Sequence, residues 1–342
     1  MAQRIGCLGG GQLGRMLALA GLPLGLRFTF LEPAEDACAG ALGELIAAAY
    51  GDPRGLEELA QRSDLVTFEF ESVPEAAASA LESKVSIWPP PAALAVAQDR
   101  LLEKRLFAEL GIPTALYAVV GRSEDLPTAL EKVGLPARLK TRRLGYDGHG
   151  QRLLRAPDDL AAAWRDLREV PSILERVVSF DRELSVVAVR SQDGRVATYP
   201  AVENHHRSGV LRLTLAPAPK LLPEVGYAAA AHARAILDHF AYVGVLALEL
   251  FQVGGQLLAN EIAPRVHNSG HWTIEGAACS QFENHLRAGL GWALGETTAR
   301  GCSAMVNLIG THPDPARLAG LPLAHPHLYG KAPRPGRKLG HV

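Results

Sequence analysis

The sequence predicts a mixed α/β and α+β protein, with a doubly wound parallel sheet first and further sheets after it. Three observations carry this. A short apolar strand, Ile5 to Leu8, runs through a glycine turn into a helix-forming stretch. Segments beyond residue 172 read as strands. The 342 residues exceed one comfortable hydrophobic core, so two or three packed units are expected.

Composition excludes several classes. The chain is 48% hydrophobic and 21% charged, which fits an ordinary folded protein. Lys plus Arg number 35 against 36 Asp plus Glu, and this formal charge of -1 argues against a general nucleic-acid binder, whose affinity needs a cationic surface. Cys7, Cys38, Cys279 and Cys302 lie far apart without a C-x-x-C pair, so neither a zinc site nor a disulfide framework is expected. They are read as buried small hydrophobes in a reducing compartment. No apolar run approaches the roughly 20 residues of a membrane span, and glycines break the N-terminal stretch. A soluble, cytoplasmic protein with no membrane or nucleic-acid partner is the expectation.

The first turn, Gly9-Gly10-Gly11-Gln12-Leu13-Gly14, matches G-x-G-x-x-G, and Glu32 ends the second strand, Arg27 to Leu31. The glycines suit either a phosphate at a helix N-terminus or close strand-to-helix packing. A third strand is read over Asp64 to Glu71, and its alternation places Glu69 and Glu71 on one face. Trp88-Pro89-Pro90-Pro91 ends this unit, with a boundary near residue 97. Asp99 and Arg100 then open a charged amphipathic helix through Leu110, followed by a strand from Ala115 to Val120 and a helix from Leu126 to Val133.

Lys140 ends the next strand and precedes a loop with glycines at 145, 148 and 150. Either this loop closes over a polyphosphate held by the lysine, or it is a solvated basic hairpin. A strand over Ser172 to Val178 is followed by a clear β pattern over Arg182 to Val189, and the strands with intervening helices outside the first sheet describe a small lid, about residues 115–178. Two apolar strands, Val243 to Phe251 and Gln256 to Ile262, carry Glu249 and Glu261. A three-residue loop, Val253 to Gly255, would turn both carboxylates to one side; a two-residue loop, Gly254-Gly255, would oppose them. The odd loop is therefore expected if the pair binds a divalent cation, and a structural ion pair is the alternative. The donor-rich Arg265-Val266-His267-Asn268 stretch suits an anionic substrate. Lys331, Arg334, Arg337 and Lys338 form either a solvated tail or a phosphate clamp.

Taken together, GGGQLGRM, TFEFESVP, KTRRLGYDGHGQ, NEIAPRVHNSGHW and RPGRKLGH resemble the 5-(carboxyamino)imidazole ribonucleotide synthases, ATP-grasp ligases of purine biosynthesis. The resemblance runs in order from residue 5 to 341. It implies an ATP-grasp architecture: a Rossmann-like pre-ATP-grasp domain (1–97), an ATP-grasp domain (98–300) with a lid and a mixed sheet, and a C-terminal segment (301–342). It also implies carboxylation of 5-aminoimidazole ribonucleotide by bicarbonate with ATP and Mg²⁺ (or Mn²⁺), by a homodimer. On the same grounds Arg100 and Lys140 meet the ATP phosphates under a loop of Gly145, Tyr146, Asp147, Gly148, His149, Gly150 and Gln151. Glu175, Arg176, Val177 and Val178 form the adenine hinge; Glu183, His206 and Asn260 complete the nucleotide site. Glu249 and Glu261 hold the metal. Tyr146, Asp147, Arg265, His267 and Asn268 line the carboxylation site, with Glu71 near the aminoimidazole. Gly11, Gln12, Leu13, His149, Lys331, Arg337 and Lys338 bind the ribonucleotide.

Two residues depart from the family pattern: Leu144 stands where glycine is usual and His149 where a fixed cation is usual. The chain also stops at Val342, where relatives continue through a further helical segment. Two other readings remain. Another ATP-grasp ligase, formate-using or biotin carboxylase-like, is weakened by Ala263, where those relatives carry asparagine. A non-catalytic nucleotide sensor is the other.

Overall fold

The computed structural model describes residues 3–145 and 149–342. Its first layer holds β1 (Arg4–Leu8), β2 (Arg27–Leu31), β3 (Glu44–Ile46), β4 (Leu65–Phe68) and β5 (Ser86–Ile87), ordered β3-β2-β1-β4-β5 with every pair parallel. Parallel neighbours need crossovers: α1 (Gln12–Gly21) lies between β1 and β2 and α3 (Glu75–Glu82) between β4 and β5, α2 (Pro53–Gln61) carries the chain from β3 to β4, and β2 reaches β3 through residues 32–43 without a helix. Strand order reverses between β1 and β4, so the glycine turn after β1 sits at the switch point.

The chain fills that point itself. β4 stops at Phe68 rather than reaching Glu71, and the buried Glu69 carboxylate accepts the Gly11 N–H and the Gly14 N–H, the latter at 2.6 Å. A Cβ on Gly11 would stand 2.6 Å from Glu69 Oε1, so only glycine admits the carboxylate. Glu69 thus takes the helix N-terminal amides that a dinucleotide's pyrophosphate would use. Glu32 accepts the Gly10 N–H at 3.1 Å, the Ala34 N–H at 3.2 Å and the Tyr50 hydroxyl at 2.5 Å, instead of facing a ribose. The glycines therefore serve packing and an internal cap, and the expected shared face of Glu69 and Glu71 is lost where β4 ends.

After α4 (Pro91–Ala97), the Asp99 side chain caps α5 (Arg100–Glu109) by accepting the Leu101 N–H at 3.0 Å. The lid follows, with β6 (Tyr117–Val120), β7 (Ala137–Thr141), β8 (Gln151–Leu154) and β9 (Ser172–Arg176) in the order β6-β9-β7-β8. α6 (Leu126–Val133) and α7 (Asp159–Asp166) close its core around Leu139, Trp164 and Leu174.

Among the described residues the largest sheet contains β10 (Arg182–Arg190), β11 (Val196–Thr198), β12 (Val202–Arg207), β13 (Val210–Ala216), β14 (Gly244–Val253), β15 (Gln256–Ala263), β16 (Ser303–Ile309), β17 (His327–Leu328) and β18 (Lys338–His341). Its path is β15-β14-β10-β12-β13-β16-β18-β17, with β11 beside β10 and each of these pairs antiparallel. Alternation divides its centre. Leu184, Val186, Leu246 and Leu248 pack with α8 (Pro223–His239). The opposite face packs Val187, Val189, Val245 and Ala247 against Phe282 and Leu286 of α10 (Gln281–Gly289), which follows the short α9 (Thr273–Gly276). The strands of residues 303–341 extend this sheet rather than forming a layer of their own.

The cysteines differ from expectation, since Cys7 and Cys279 are buried but Cys38 is half-buried and Cys302 exposed. Replacing Glu69 with Ala should leave two amides at the start of α1 without their acceptor. A loss of about 2–4 kcal/mol in denaturant-derived stability is expected; an unchanged unfolding midpoint would show that the carboxylate is dispensable to the fold.

Candidate active site

The face of the large sheet that packs α10 changes character along the strands. Ser185 pairs with Glu249, Glu249 pairs with Glu261, and Glu183 pairs with Asn204, so these side chains share the face continuing from Val187 and Ala247. Asn204 and Ser185 are buried in a chain of bonds: Thr214 Oγ1 donates to Asn204 Oδ1 at 2.9 Å, Asn204 Nδ2 to Ser185 Oγ at 2.8 Å, and Ser185 Oγ to Ser269 Oγ at 2.7 Å. This fixes the His267 to Gly270 segment above the strands.

The loop expected to give Glu249 and Glu261 a common side is not the one present. Val253 pairs with Gln256, which makes the turn the two-residue Gly254-Gly255. That parity would oppose the carboxylates, but the register slips between Glu249 and Leu250: Leu250 faces Ala259, Glu249 faces Glu261, and Asn260 is the extra residue of a β-bulge. The bulge, not the loop, restores the shared side.

The two glutamates behave as a strained pair. Burial, then the charge of Glu261, pushes the Glu249 carboxyl up to about 8. A divalent cation would remove both penalties, and no group of three or more His, Cys, Asp or Glu residues suited to a metal occurs among the described residues. Two carboxylates match Mg²⁺, which completes its shell with phosphate and water. Arg100 Nη1 lies 3.3 Å from Glu261 Oε2.

Beside them lies a group that the sequence did not disclose. Glu175, expected as a hinge residue, turns its buried carboxylate inward between two lysines, with Lys104 Nζ at 2.8 Å and Lys140 Nζ also in contact. Burial opposes the charge on Glu175, yet Lys140 and Lys104 together hold its carboxyl down at about 2. Lys140 is pulled below the usual lysine range, chiefly by burial, while Glu175 opposes that shift. The missed residues, Glu103 and Lys104, follow Arg100 at i+3 and i+4 on the α5 face that also buries Phe107. That spacing was the available signal: charged residues on a core-facing helical stripe. β9 ends at Arg176, whose side chain donates to the Val133 carbonyl at 2.7 Å, away from the lysines, and Val177 N–H bonds the Pro136 carbonyl.

Further along, His206 contacts Glu183 through Nδ1. Burial opposes its charge, but Glu183 and Glu249 raise it above the ordinary histidine range. His267 Nε2 lies 3.3 Å from Glu249, and its Nδ1 accepts the Ser269 N–H at 3.3 Å, which places its own proton on Nε2. Burial and then Arg265 hold His267 neutral, well below its usual range. Asn268 has both amide atoms buried without a protein partner, an arrangement that costs a few kcal/mol unless a ligand satisfies it. Arg265 is ion-paired to Glu71 at 2.5 Å, joining the first layer to the sheet. Lys331 contacts the Gln12 side chain at the glycine turn, and Arg337 donates to the Ala332 carbonyl at 3.2 Å.

In the lid loop, Gly150 has φ +68°, and a Cβ there would meet Thr141 Oγ1 at 2.7 Å. Leu144 also has positive φ, at 62°, and is exposed. A leucine in that conformation carries backbone strain that glycine would not. Gln151 pairs with Lys140 across β7 and β8, and Gly145 lies near Arg100. Tyr146, Asp147 and Gly148, expected at the nucleotide and carboxylation sites, lie outside the described residues, and His149 follows them in the same loop.

An antiparallel sheet bearing paired carboxylates with Arg100 against them, and a separate lid sheet whose Lys140 meets Glu175, define an ATP-grasp protein, and residues 105–282 match the ATP-grasp domain family. Residues 1–98 match the ribonucleotide synthetase preATP-grasp domain, and residues 303–342 the phosphoribosylaminoimidazole carboxylase C-terminal domain. The N5-carboxyaminoimidazole ribonucleotide synthase of Pseudomonas aeruginosa is 54% identical over 339 residues, covering 99% of this chain and 93% of that protein. The crystal structure of the Thermus thermophilus synthetase superposes with a TM-score of 0.95 at 56% identity, covering 98% of this chain and 92% of that one. The Aspergillus clavatus synthase, solved with ADP and 5-aminoimidazole ribonucleotide, gives a TM-score of 0.92 at 32% identity, covering 99% and 93%. The chain belongs to the N5-carboxyaminoimidazole ribonucleotide synthase family.

The Glu175 cluster has a pH signature. A carboxylate whose pKa falls on folding adds stability that is full above its unfolded value, near 4.5, and is lost as pH drops toward about 2. Wild-type melting temperature should therefore fall steeply below about pH 4.5. Glu175→Gln should start lower at neutral pH, by about 3 kcal/mol or more, because two buried ammonium groups lose their counter-charge. It should also show a shallower acid slope; parallel slopes in the two proteins would refute the assignment.

Proposed function

We propose that this chain carboxylates 5-aminoimidazole ribonucleotide with bicarbonate at the expense of ATP, giving N5-carboxyaminoimidazole ribonucleotide, ADP and phosphate, a step of purine biosynthesis. The observation that carries the reading is the paired Glu249 and Glu261 on one sheet face, within reach of Arg100 and beside the Lys140 cluster. Family membership and the relative that holds ADP with the aminoimidazole ribonucleotide support it.

In this reading Arg100 and Lys140 hold the ATP phosphates, and the loop of residues 145–151 closes over them. The Glu175 to Val178 hinge lies along the adenine, Glu183 and His206 hold the ribose, and Asn260 completes the pocket. Glu249 and Glu261 hold Mg²⁺ or Mn²⁺, which when bound neutralises charge on the terminal phosphates. A bicarbonate oxygen attacks the γ-phosphorus, the bond to the β-phosphate oxygen breaks, and ADP leaves. The resulting carboxyphosphate releases phosphate as its carboxyl group, directly or as CO₂, joins the exocyclic amine, which loses a proton. His267, Asn268 and Arg265, with Tyr146 and Asp147, surround that centre. The unpartnered Asn268 amide offers one donor and one acceptor to it. Glu71 faces the aminoimidazole, Lys331, Arg337 and Lys338 grip the ribonucleotide phosphate, and Gln12, Leu13 and His149 complete the ribonucleotide site; the Gly11 N–H is engaged by Glu69. No described helix is long and apolar enough to cross a membrane. A cytoplasmic homodimer completes the proposal, the dimer resting on family resemblance.

Phosphate release should require ATP, Mg²⁺, bicarbonate and the ribonucleotide together. Release indifferent to the ribonucleotide would count against the substrate, and binding without release would favour a sensor. Glu261→Gln should lower kcat by at least about 100-fold with an unchanged circular dichroism spectrum, because the cation loses a ligand; near-normal turnover would remove its metal role. His149→Arg should lower the ribonucleotide KM about three- to tenfold, as a guanidinium that stays charged and can bond in two places replaces an imidazole beside an anion. An equal or higher KM would reject that contact.

A further inference from the structure

The bulge at Asn260 is what turns Glu261 toward Glu249, and it lies on an edge strand, where β14 supplies pairing from one side only. Along the outer edge of β15 the Ala259 N–H bonds the Pro113 carbonyl at 2.7 Å, and the Ile262 N–H bonds Glu103 Oε1 at 2.6 Å. In a regular strand, N–H groups facing one side recur every two residues. Here the interval is three, from 259 to 262, and that interval is the bulge. Between those two bonds, Lys104 Nζ donates to the Ala259 carbonyl at 3.4 Å and the Asn260 carbonyl at 3.3 Å. Glu103 and Lys104 are nearly fully buried, an expensive placement for charges that serve only as surface pairs.

We propose that Glu103 and Lys104 are positioning residues that lock the Asn260 bulge, and so aim Glu261 at the cation of the nucleotide site. This rests on the metal reading above. Glu103 selects the bulged register, because an unbulged β15 would present the N–H of residue 261, not 262, to α5. Lys104 holds the extra residue's carbonyl and carries the same ammonium to Glu175, whose other oxygen meets Lys140. One helical turn thereby couples the aim of the carboxylate to the placement of the lid's lysine.

The test measures Mn²⁺ binding by electron paramagnetic resonance in the presence of adenylyl imidodiphosphate, alongside affinity for that analogue without metal. Glu103→Leu removes the acceptor and should weaken Mn²⁺ about tenfold or more, as loss of an outer-shell partner does, while metal-free analogue affinity changes less than about twofold. Glu103→Gln keeps an acceptor oxygen for the Ile262 N–H and should restore Mn²⁺ affinity to near wild type. If Glu103→Leu does not fold, Glu103→Asp, which withdraws the oxygen by one methylene, is held to the same criterion with a smaller loss, about threefold. Wild-type Mn²⁺ affinity in a folded Glu103→Leu or Glu103→Asp variant, with Glu261→Gln weakened, overturns the proposal and leaves the metal reading standing. Undiminished Mn²⁺ affinity in Glu261→Gln overturns the metal reading, and the proposal with it.

Discussion

Two carboxylates must reach the same side of a hairpin whose turn has the wrong parity for it. Side chains in a strand alternate, so a two-residue turn between Val253 and Gln256 commits Glu249 and Glu261 to opposite faces unless one strand gains a residue. Asn260 is that residue. Much of the neighbouring architecture serves this insertion: α5 lies along the bulged edge, its buried glutamate and lysine take the backbone groups that the bulge displaces, and the connection at Pro113 fixes the strand before it. An edge strand with an irregular ladder would otherwise leave polar backbone groups unpaired inside the protein.

Charge is arranged with the same economy. The chain is close to neutral overall, yet Lys104 and Lys140 converge on Glu175 while Glu183, Glu249 and Glu261 gather on the sheet. Each cluster is uncomfortable alone. Burial and mutual repulsion raise the carboxyl of Glu249, and burial lowers the ammonium of Lys140. A metal-bound polyphosphate carries both signs of charge and would relieve the two together, which is the physical sense of placing them side by side.

The glycine turn shows the opposite use of a familiar pattern. Its helix amides could receive a phosphate, but Glu69 occupies those of Gly11 and Gly14, and Glu32 is spent on Gly10 and Tyr50. The same turn still contributes Gln12 to the junction with Lys331, so a motif that resembles a dinucleotide site instead joins the first and last segments of the chain.

Local pattern was enough for the parallel first sheet, the helix from Leu126 to Val133, the strands carrying Glu249 and Glu261, and the lysine at the end of its lid strand, because periodicity and glycine placement act over a few residues. The family motifs added the order of the layers. What sequence left open depended on contacts between distant elements: which loop the hairpin uses, that Glu175 points inward to two lysines, that Arg265 pairs with Glu71, and that Glu69 turns back to cap α1. Spacing cannot reveal a bulge, since the inserted residue is identified only by its partner strand and by the helix that accepts its displaced hydrogen bonds. The residue types at the site were therefore written in the chain, but the side to which Glu261 points was decided by tertiary packing against α5.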